Sequence, residues 1–272
     1  MRRVMTAAAV SAAACALLAP LAARGIADDI KVDLKSEKVG RPPVTFEPMV
    51  GTWTVVEDGG EKAIMVDGRP WVTSKDNPTK LLVQSARKLY GTSNEELMDN
   101  AKQFAYYPVA VLKSVNNFSN GSIRLKFKTV GGDADRASGI LFNVKPNGDW
   151  LALRYNDTEH NVVLWEFHNG MRRPLIRPRD GDLLTAPGDR EKYHELRLDV
   201  DGAAITGTLD GAKVLTFVLG SAPQPGRNGA PPNPDLFAEN NPVVKPPVAG
   251  KVGLWAKTDT TSYFKDYVVS PK

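Results

Sequence analysis

The chain has 272 residues, of which 42% are hydrophobic, with 35 basic and 31 acidic side chains and one cysteine. This composition is typical of a globular protein with an apolar core, and a single cysteine excludes an internal disulfide. A formal charge of +4 without a basic cluster argues against a nucleic-acid-binding protein.

The first 27 residues have the pattern of a secretory signal peptide. Arg2 and Arg3 precede an alanine- and leucine-rich stretch, Val4–Ala23, that is too short for a convincing membrane span. We expect cleavage near Ala27, which exports the mature chain to the periplasm or the cell exterior without a membrane span. Cleavage also removes three arginines and leaves 32 basic against 31 acidic side chains, so the mature chain is nearly neutral.

Cys15 offers an alternative, because it could be the acceptor of a lipoprotein anchor. Ala12 stands three positions before it, where a larger aliphatic residue is expected, and the apolar run continues behind it. We therefore favour cleavage over lipidation. Without Cys15, the mature chain has neither disulfides nor thiolate chemistry.

Residues 28–45 are polar and contain proline, which predicts an extended, loosely packed segment before one domain over residues 46–272. The first strand is expected near Trp53. Ser93 is followed three residues later by Glu96, the spacing of a capping box, and apolar residues then recur at helical spacing. This pattern predicts one short helix beside the sheets.

From Tyr107 onward the sequence predicts short strands separated by turns. Ile123, Leu125 and Phe127 alternate with basic residues, as in a half-buried antiparallel strand. Asn-Gly and Asp-Gly pairs, among them Asp210-Gly211, predict tight turns between the later strands.

A proline-rich segment interrupts this series of strands. Eight prolines lie between Ser221 and Pro247, which excludes regular sheet hydrogen bonding over much of the segment and predicts a long loop. Strands predicted at 251–257 and 263–269 return the chain to the same sandwich.

Several segments carry a resemblance to a known superfamily, chiefly Gly139–Val144 (GILFNV), Asp149–Tyr155 (DWLALRY) and Gly250–Lys257 (GKVGLWAK). They resemble strands of the concanavalin A-like lectin and glucanase superfamily, and more narrowly the 3-keto-disaccharide hydrolase domains. The resemblance implies an all-β, antiparallel jelly-roll sandwich over roughly residues 46–270, with ligands on a concave face or at its rim. The Glu-x-Asp strand of the similar family 16 glycoside hydrolases is absent, because no glutamate here has an aspartate two positions later.

One strand carries the predicted ligand platform. Period two places Trp150 and Arg154 on one face of the strand and its leucines and Tyr155 on the core face. Asn143 of the preceding strand is expected beside Arg154 on the outer surface, while Ile140, Phe142 and Val144 are expected in the core. An aromatic ring, a guanidinium and an amide on a solvated face suit a sugar, whose C–H faces stack on rings while its hydroxyls need fixed partners. An ordinary solvated sheet face with an ion pair is the alternative.

Two further tryptophans are assigned in the same way. Val252, Leu254 and Ala256 are expected to face inward, which leaves Trp255 and Lys257 outward, either against a ligand or under the proline-rich loop. Trp165 is predicted to belong to the core.

Three residues are candidates for catalysis. Glu166 and His168 lie two apart on one strand and point the same way, which suits an acid–base pair if a cleft lies beneath them. His194 at a strand start is the third. A surface hydrogen-bonded pair is the commoner arrangement. Asp133 and Asp135 fall short of the six to eight ligands of a calcium site, so we expect no metal and no cofactor.

These features favour an exported carbohydrate-binding domain with a carbohydrate as its partner. A hydrolase or lyase acting on a glycoside or an oxidised (3-keto) sugar is the first alternative. A structural or adhesion module, in which the proline-rich loop contacts a protein, is the second.

Overall fold

The computed structural model describes residues 28–70, 107–133, 136–146, 148–168, 171–176, 191–221 and 244–272. They form two antiparallel sheets packed face to face around one apolar core, which confirms the predicted all-β sandwich. The helix predicted from Ser93 lies outside the described residues. No helix in the described part of the chain is both long and apolar enough to cross a membrane.

Sheet A contains eight strands: β1 (Ile30–Lys31), β3 (Thr52–Asp58), β4 (Glu61–Asp67), β6 (Gly121–Gly131), β11 (His194–Asp201), β12 (Ala204–Leu209), β13 (Ala212–Val218) and β15 (Thr261–Pro271). Their spatial order is β13-β12-β11-β6-β15-β4-β3. β1 pairs with the end of β15 that extends beyond β4.

Sheet B contains seven strands: β2 (Phe46–Val50), β5 (Val109–Leu112), β7 (Ala137–Val144), β8 (Trp150–Asn156), β9 (Asn161–His168), β10 (Met171–Ile176) and β14 (Lys251–Ala256). Their spatial order is β10-β9-β8-β7-β14-β5-β2. β14 lies between β7 and β5, and β15 lies between β6 and β4. The chain that follows the proline-rich segment therefore completes both sheets of the same sandwich, as predicted.

The predicted alternation accounts for the inner core. Ile123, Leu125 and Phe127 of β6 are buried between the sheets, and the basic residues between them are partly exposed. The predicted turn at Asp210-Gly211 is also present. Both residues have positive φ, 48° and 81°, as a two-residue hairpin turn requires.

Most side chains of residues 28–45 are exposed, but the segment is attached to the sandwich more closely than predicted. Ile30 pairs with Val269 of β15, and β2 precedes the strand that contains Trp53. The buried Glu37 carboxylate accepts hydrogen bonds from the Val44 amide at 2.7 Å and from the amide and hydroxyl of Thr45 at 2.8 and 2.7 Å. These bonds satisfy the charge and close a loop within the segment. The segment is attached to the sandwich by backbone hydrogen bonds from Val32 to Tyr267 at 2.9 Å and from Gly40 to Val55 at 2.8 Å.

Candidate functional site

The outer face of sheet B carries a second apolar cluster, separate from the core between the sheets. Five of its rings form what we call the aromatic face: Tyr107, Trp150, Trp165, Phe167 and Trp255. Trp150 stacks on Phe167 with centroids 5.0 Å apart, and Tyr107 stacks on Trp255 at 5.9 Å. Trp150 and Trp255 meet edge to face at 6.2 Å. These contacts join strands β8, β9 and β14 into one aromatic surface.

The predicted division of faces is confirmed, but the predicted exposure is wrong. Trp150 and Trp255 lie outward and the leucines of β8 and β14 lie inward. However, Trp150 and Arg154 are only 1% exposed and Trp255 is 0% exposed. The outer face of sheet B is therefore covered at these positions. The prediction of exposure failed because period two shows only which face a side chain takes, and not what packs against that face.

Trp165 is buried, as predicted, but it belongs to the aromatic face and not to the core between the sheets. Val144 likewise joins the outer cluster, whereas Ile140 and Phe142 lie in the inner core. The cause is Asn143, whose φ of 54° breaks the alternation at the end of β7. Its side chain is buried, and its amide oxygen accepts a hydrogen bond from the Ala249 amide at 2.9 Å. The prediction that Asn143 lies beside Arg154 is wrong, because Arg154 pairs with Gly139 at the other end of the β7–β8 ladder.

Arg154 is the buried centre of a polar network. Its two terminal nitrogens donate to Asn161 Oδ1 and to Glu159 Oε2, each at 2.8 Å. The guanidinium also lies 5.8 Å from the ring centroid of Trp165, within cation–π range. A buried guanidinium needs such partners because an unpaired charge in the interior is very costly.

The hairpin between β8 and β9 positions these partners. Asn156 pairs with Asn161, and the Asn156 side-chain oxygen accepts hydrogen bonds from the Thr158 and Glu159 amides at 2.8 and 3.2 Å. This Asx-type turn places the Glu159 carboxylate back over Arg154. We call Arg154, Glu159, Asn161 and Lys257 the polar rim.

Three of the four residues of the polar rim are accessible to solvent, whereas Arg154 and the aromatic face are buried. The side chain of Glu159 is 42% exposed, and Asn161 and Lys257 are partly exposed. Partial burial tends to raise the pKa of Glu159, but Arg154, Asn161 and Lys257 outweigh it and hold that pKa below its ordinary value. Glu159 is therefore a carboxylate that accepts hydrogen bonds over a wide pH range.

Gly139 links the polar rim to the aromatic face. It pairs with Arg154 on one side and with Trp255 on the other. The two side chains therefore share a face, and their strands lie about 10 Å apart. Lys257 follows Trp255 by two residues. The rim and Trp255 are neighbours on one surface of sheet B.

The catalytic candidates do not join this surface. Glu166 is 0% exposed and lies on the inner side of β9, where it accepts a hydrogen bond from the Val244 amide at 2.7 Å. An acid–base pair would need a cleft beneath Glu166, but this space is filled by the sandwich and by Val244. The commoner arrangement, a surface pair, is also wrong for Glu166, because its side chain is buried. The side chain of His168 lies outside the described part of the chain.

His194 lies on sheet A, at the inner side of the sandwich. Its Nδ1 shares a hydrogen bond of 2.6 Å with Asp210 Oδ2, and its ring lies 5.9 Å from both Phe127 and Tyr155. Among the calcium candidates, Asp133 donates its amide to Asp259 Oδ2 at 2.6 Å, and Asp135 lies outside the described residues. The described residues contain no cluster of three or more metal-ligating side chains.

Sequence reasoning missed Glu159 and Asn161. The available signal was the short loop after Arg154, because a hairpin that closes between Asn156 and Asn161 returns its polar residues over the preceding strand.

A separate groove of about 400 Å³ lies on sheet A, beside β1, β4 and β15. Charges of both signs line it, and several already pair: Lys265 with Glu61, and Asp266 with Lys126. Its lining includes no aromatic side chain. This groove is therefore a weaker candidate for sugar binding than the polar rim, where Arg154 orders the exposed Glu159 and Asn161.

No protein-family model matches the chain, and no curated protein matches it. Among solved structures, it is similar to the carbohydrate-binding module CBM66 from Bacillus subtilis, at 13% identity and a TM-score of 0.49, over 83% of this chain and 96% of that one. A protein of unknown function with a galectin-like fold, also from Bacillus subtilis, matches at 12% identity and a TM-score of 0.46, over 83% and 88%.

The Crh5 transglycosylase is a third similar structure, at 14% identity and a TM-score of 0.46, over 90% of this chain and 85% of that one. These likenesses concern the β-sandwich arrangement. At such identities and scores they carry no argument about the ligand, which rests on the residues of sheet B.

Proposed function

We propose that the protein is an exported carbohydrate-binding β-sandwich that holds a sugar at the polar rim of sheet B. The observation that carries this proposal is the Arg154 network. A buried guanidinium fixes the Glu159 carboxylate and the Asn161 amide in a half-exposed position beside the aromatic face.

This arrangement has the chemistry that sugar recognition needs. The Glu159 carboxylate accepts from hydroxyl groups, the Asn161 amide both donates and accepts, and the Lys257 ammonium donates. Because Arg154 already orders two of these groups, a ligand loses less free energy in ordering them.

The same geometry favours binding over glycoside hydrolysis. A glycosidase needs a carboxylic acid whose pKa is raised, so that it can protonate the leaving oxygen. Glu159 has a lowered pKa, and Glu166 is buried between the sheets. The resemblance to 3-keto-disaccharide hydrolase domains therefore supports the proposal through its fold and not through a catalytic group.

A glycan array probed with the full chain, followed by calorimetry on the best ligand, tests the proposal. We expect binding without turnover of glycoside or 3-keto-glycoside substrates. Asn161→Ala and Glu159→Gln should each weaken binding by about tenfold, since each removes hydrogen bonds to the ligand. Asp199→Asn on sheet A is the matched control, because its pair with Arg197 is exposed and lies on the other sheet.

Three results contradict the proposal. Binding to no glycan rejects it and leaves the adhesion module as the alternative. Equal loss of affinity in Asp199→Asn and Asn161→Ala places the ligand away from the polar rim. Turnover that Glu159→Gln abolishes makes the protein a hydrolase.

A further inference from the structure

Residues 35–44 form an exposed loop, which we call the basic loop. Three large apolar side chains are exposed in the described part of the chain, and two of them, Val39 (51%) and Val44 (72%), lie in this loop. Pro42 between them is also exposed. The third, Val218, lies on β13. Exposed apolar side chains that gather at one place mark a contact with another molecule, whereas single ones are ordinary.

The exposed charges of the basic loop are all positive. Lys35, Lys38 and Arg41 are exposed, and none of them forms an ion pair with a described residue. Glu37, the one acidic residue of the loop, is buried, and its carboxylate accepts hydrogen bonds from backbone amides. The basic loop therefore presents apolar side chains and cations without carboxylate partners on one short segment.

Hydrogen bonds hold the basic loop in place. Gly40 donates its amide to the Val55 carbonyl at 2.8 Å, and the Val55 amide donates to the Arg41 carbonyl at 2.8 Å. Nζ of Lys62 donates to two carbonyls of the loop, each at 2.6 Å, which adds a further cation beside it. Because the loop is already ordered, little conformational entropy is lost when a partner covers it.

An anionic lipid surface matches this combination of side chains. Its headgroups attract Lys and Arg side chains, and apolar side chains insert at the boundary with the acyl chains. A stable protein interface takes about 20–30 residues a side, which is more than this loop offers. Insertion into lipid needs no partner of complementary shape. We propose that the basic loop attaches the protein to an anionic membrane surface, a function beyond glycan binding that does not depend on it.

The basic loop and the polar rim lie at opposite ends of sheet B. Val44 precedes the first residue of β2, whereas Val50 ends that strand. Val50 pairs with Val109, and Val109 pairs with Trp255, two residues before Lys257 of the rim. A lipid contact at the loop therefore leaves the polar rim open to a glycan.

Vesicle binding by the cleaved chain, residues 28–272, tests the proposal. This chain contains every described strand and lacks the apolar stretch Val4–Ala23, which would itself enter lipid. We expect it to sediment with vesicles that contain about 30% phosphatidylglycerol and not with vesicles of phosphatidylcholine alone. Half of the protein should bind at a lipid concentration on the order of 1 mM, which is weaker than binding through one acyl chain. Raising the salt from about 0.1 M to about 0.5 M should weaken binding by about tenfold, because salt screens the charges.

Two double variants separate the apolar and ionic contributions. Val39→Ser/Val44→Ser and Lys38→Ala/Arg41→Ala should each raise the lipid concentration for half-binding by about tenfold. Val218→Ser is the matched control, because Val218 is 55% exposed but lies on β13, and it should bind vesicles like the native protein. Urea denaturation checks that each variant folds. Glycan affinity should be unchanged in all of them, since none alters the polar rim.

A polarity-sensitive fluorophore gives a second readout. The cleaved chain has no cysteine, because Cys15 lies within the first 27 residues, so an introduced thiol is labelled alone. A label on Ser36→Cys, in the basic loop, should emit at shorter wavelength when anionic vesicles are added. The same label on Thr216→Cys, which is exposed on β13, should not change.

Three results overturn the proposal. The first is no binding of the native chain to anionic vesicles. The second is vesicle binding that Val39→Ser/Val44→Ser leaves unchanged, which shows ionic attraction without insertion. The third is an equal affinity for soluble polyglutamate that both double variants lose, which makes an acidic protein the partner instead. Each result leaves the proposed function standing, because glycan binding is measured separately.

Discussion

Arg154 and Glu159 form an ion pair of 2.8 Å in which the arginine is 1% exposed and the glutamate is 42% exposed. The pair therefore joins the interior of sheet B to solvent. Its two ends should respond differently to substitution, because a buried guanidinium contributes packing and charge pairing while an exposed carboxylate can be solvated by water.

Arg154→Ala should destabilise the fold by about 2–4 kcal/mol, because it removes a buried side chain that packs on Trp165 and leaves a cavity. Arg154→Lys should destabilise the fold by less than Arg154→Ala does, because it keeps a long cationic side chain. It should still be less stable than the native protein, since an ammonium cannot reproduce the two parallel hydrogen bonds to Asn161 and Glu159. Urea denaturation measures both.

Arg197→Ala is the control for this prediction. Its guanidinium also pairs with a carboxylate, Asp199, but it is 44% exposed on sheet A, so its loss should cost less than about 1 kcal/mol. Equal effects of Arg154→Ala and Arg197→Ala would show that the burial of Arg154 has no energetic consequence.

The stability of the amino-terminal segment should fall at acid pH through Glu37. Burial tends to raise the pKa of Glu37, but hydrogen bonds from Val44 and Thr45 and the charge of Lys113 outweigh it and lower that pKa. A lowered folded-state pKa means that the stabilisation is complete above the unfolded-state pKa and is lost as the pH falls through the folded-state value.

Glu37→Gln should therefore lower the free energy of unfolding at neutral pH. It should also make that free energy fall less steeply as the pH decreases, as measured by denaturation between pH 7 and pH 2. Glu57→Gln, on the exposed part of β3, provides the comparison. If the free energy of unfolding of Glu37→Gln falls with pH as steeply as that of the native protein, Glu37 is not the cause of the loss of stability in acid.

The alternation along β8 predicted correctly which side chains face inward, because a strand fixes the direction of every second residue. It could not predict the burial of Arg154 and Trp255, because period two does not show what packs against the outer face of a strand. The displacement of Val144 also escaped prediction, since it follows from the positive φ of Asn143, which no period reveals.

The candidate site was predictable in part. The sequence placed Arg154 and Trp255 each on the outward side of its own strand, and the register of Gly139 with both shows that the two side chains share one face of sheet B. Glu159 and Asn161 were not predicted, because they reach Arg154 only through the geometry of a hairpin loop, which depends on the Asn156 turn.

Gly139→Ala should disrupt the centre of sheet B. A Cβ at this position would lie 2.2 Å from the Leu153 carbonyl oxygen and 2.8 Å from Cα of Arg154, both backbone atoms that cannot turn aside. We expect a loss of about 3 kcal/mol or more in urea denaturation, at the upper end of overpacking effects.

Gly202→Ala is the matched control, because its Cβ would meet no atom within 4 Å and only its positive φ of 60° is strained. That strain should cost about 1–2 kcal/mol. If Gly139→Ala costs no more than Gly202→Ala, the β7–β8 contact is less tight than the backbone distances indicate.

Substitutions at Asn143 can distinguish a structural role from contact with a ligand. The amide oxygen of Asn143 already accepts a hydrogen bond from Ala249 at 2.9 Å, and its φ is 54°. Asn143→Gly removes the hydrogen bond but suits the positive φ, whereas Asn143→Ala removes the bond and adds backbone strain. We expect Asn143→Ala to be less stable than Asn143→Gly by about 1 kcal/mol in urea denaturation. Glycan affinity should be unchanged in the folded Asn143→Gly protein, since the polar rim lies at the opposite end of β8; a tenfold loss would instead make Asn143 a ligand contact.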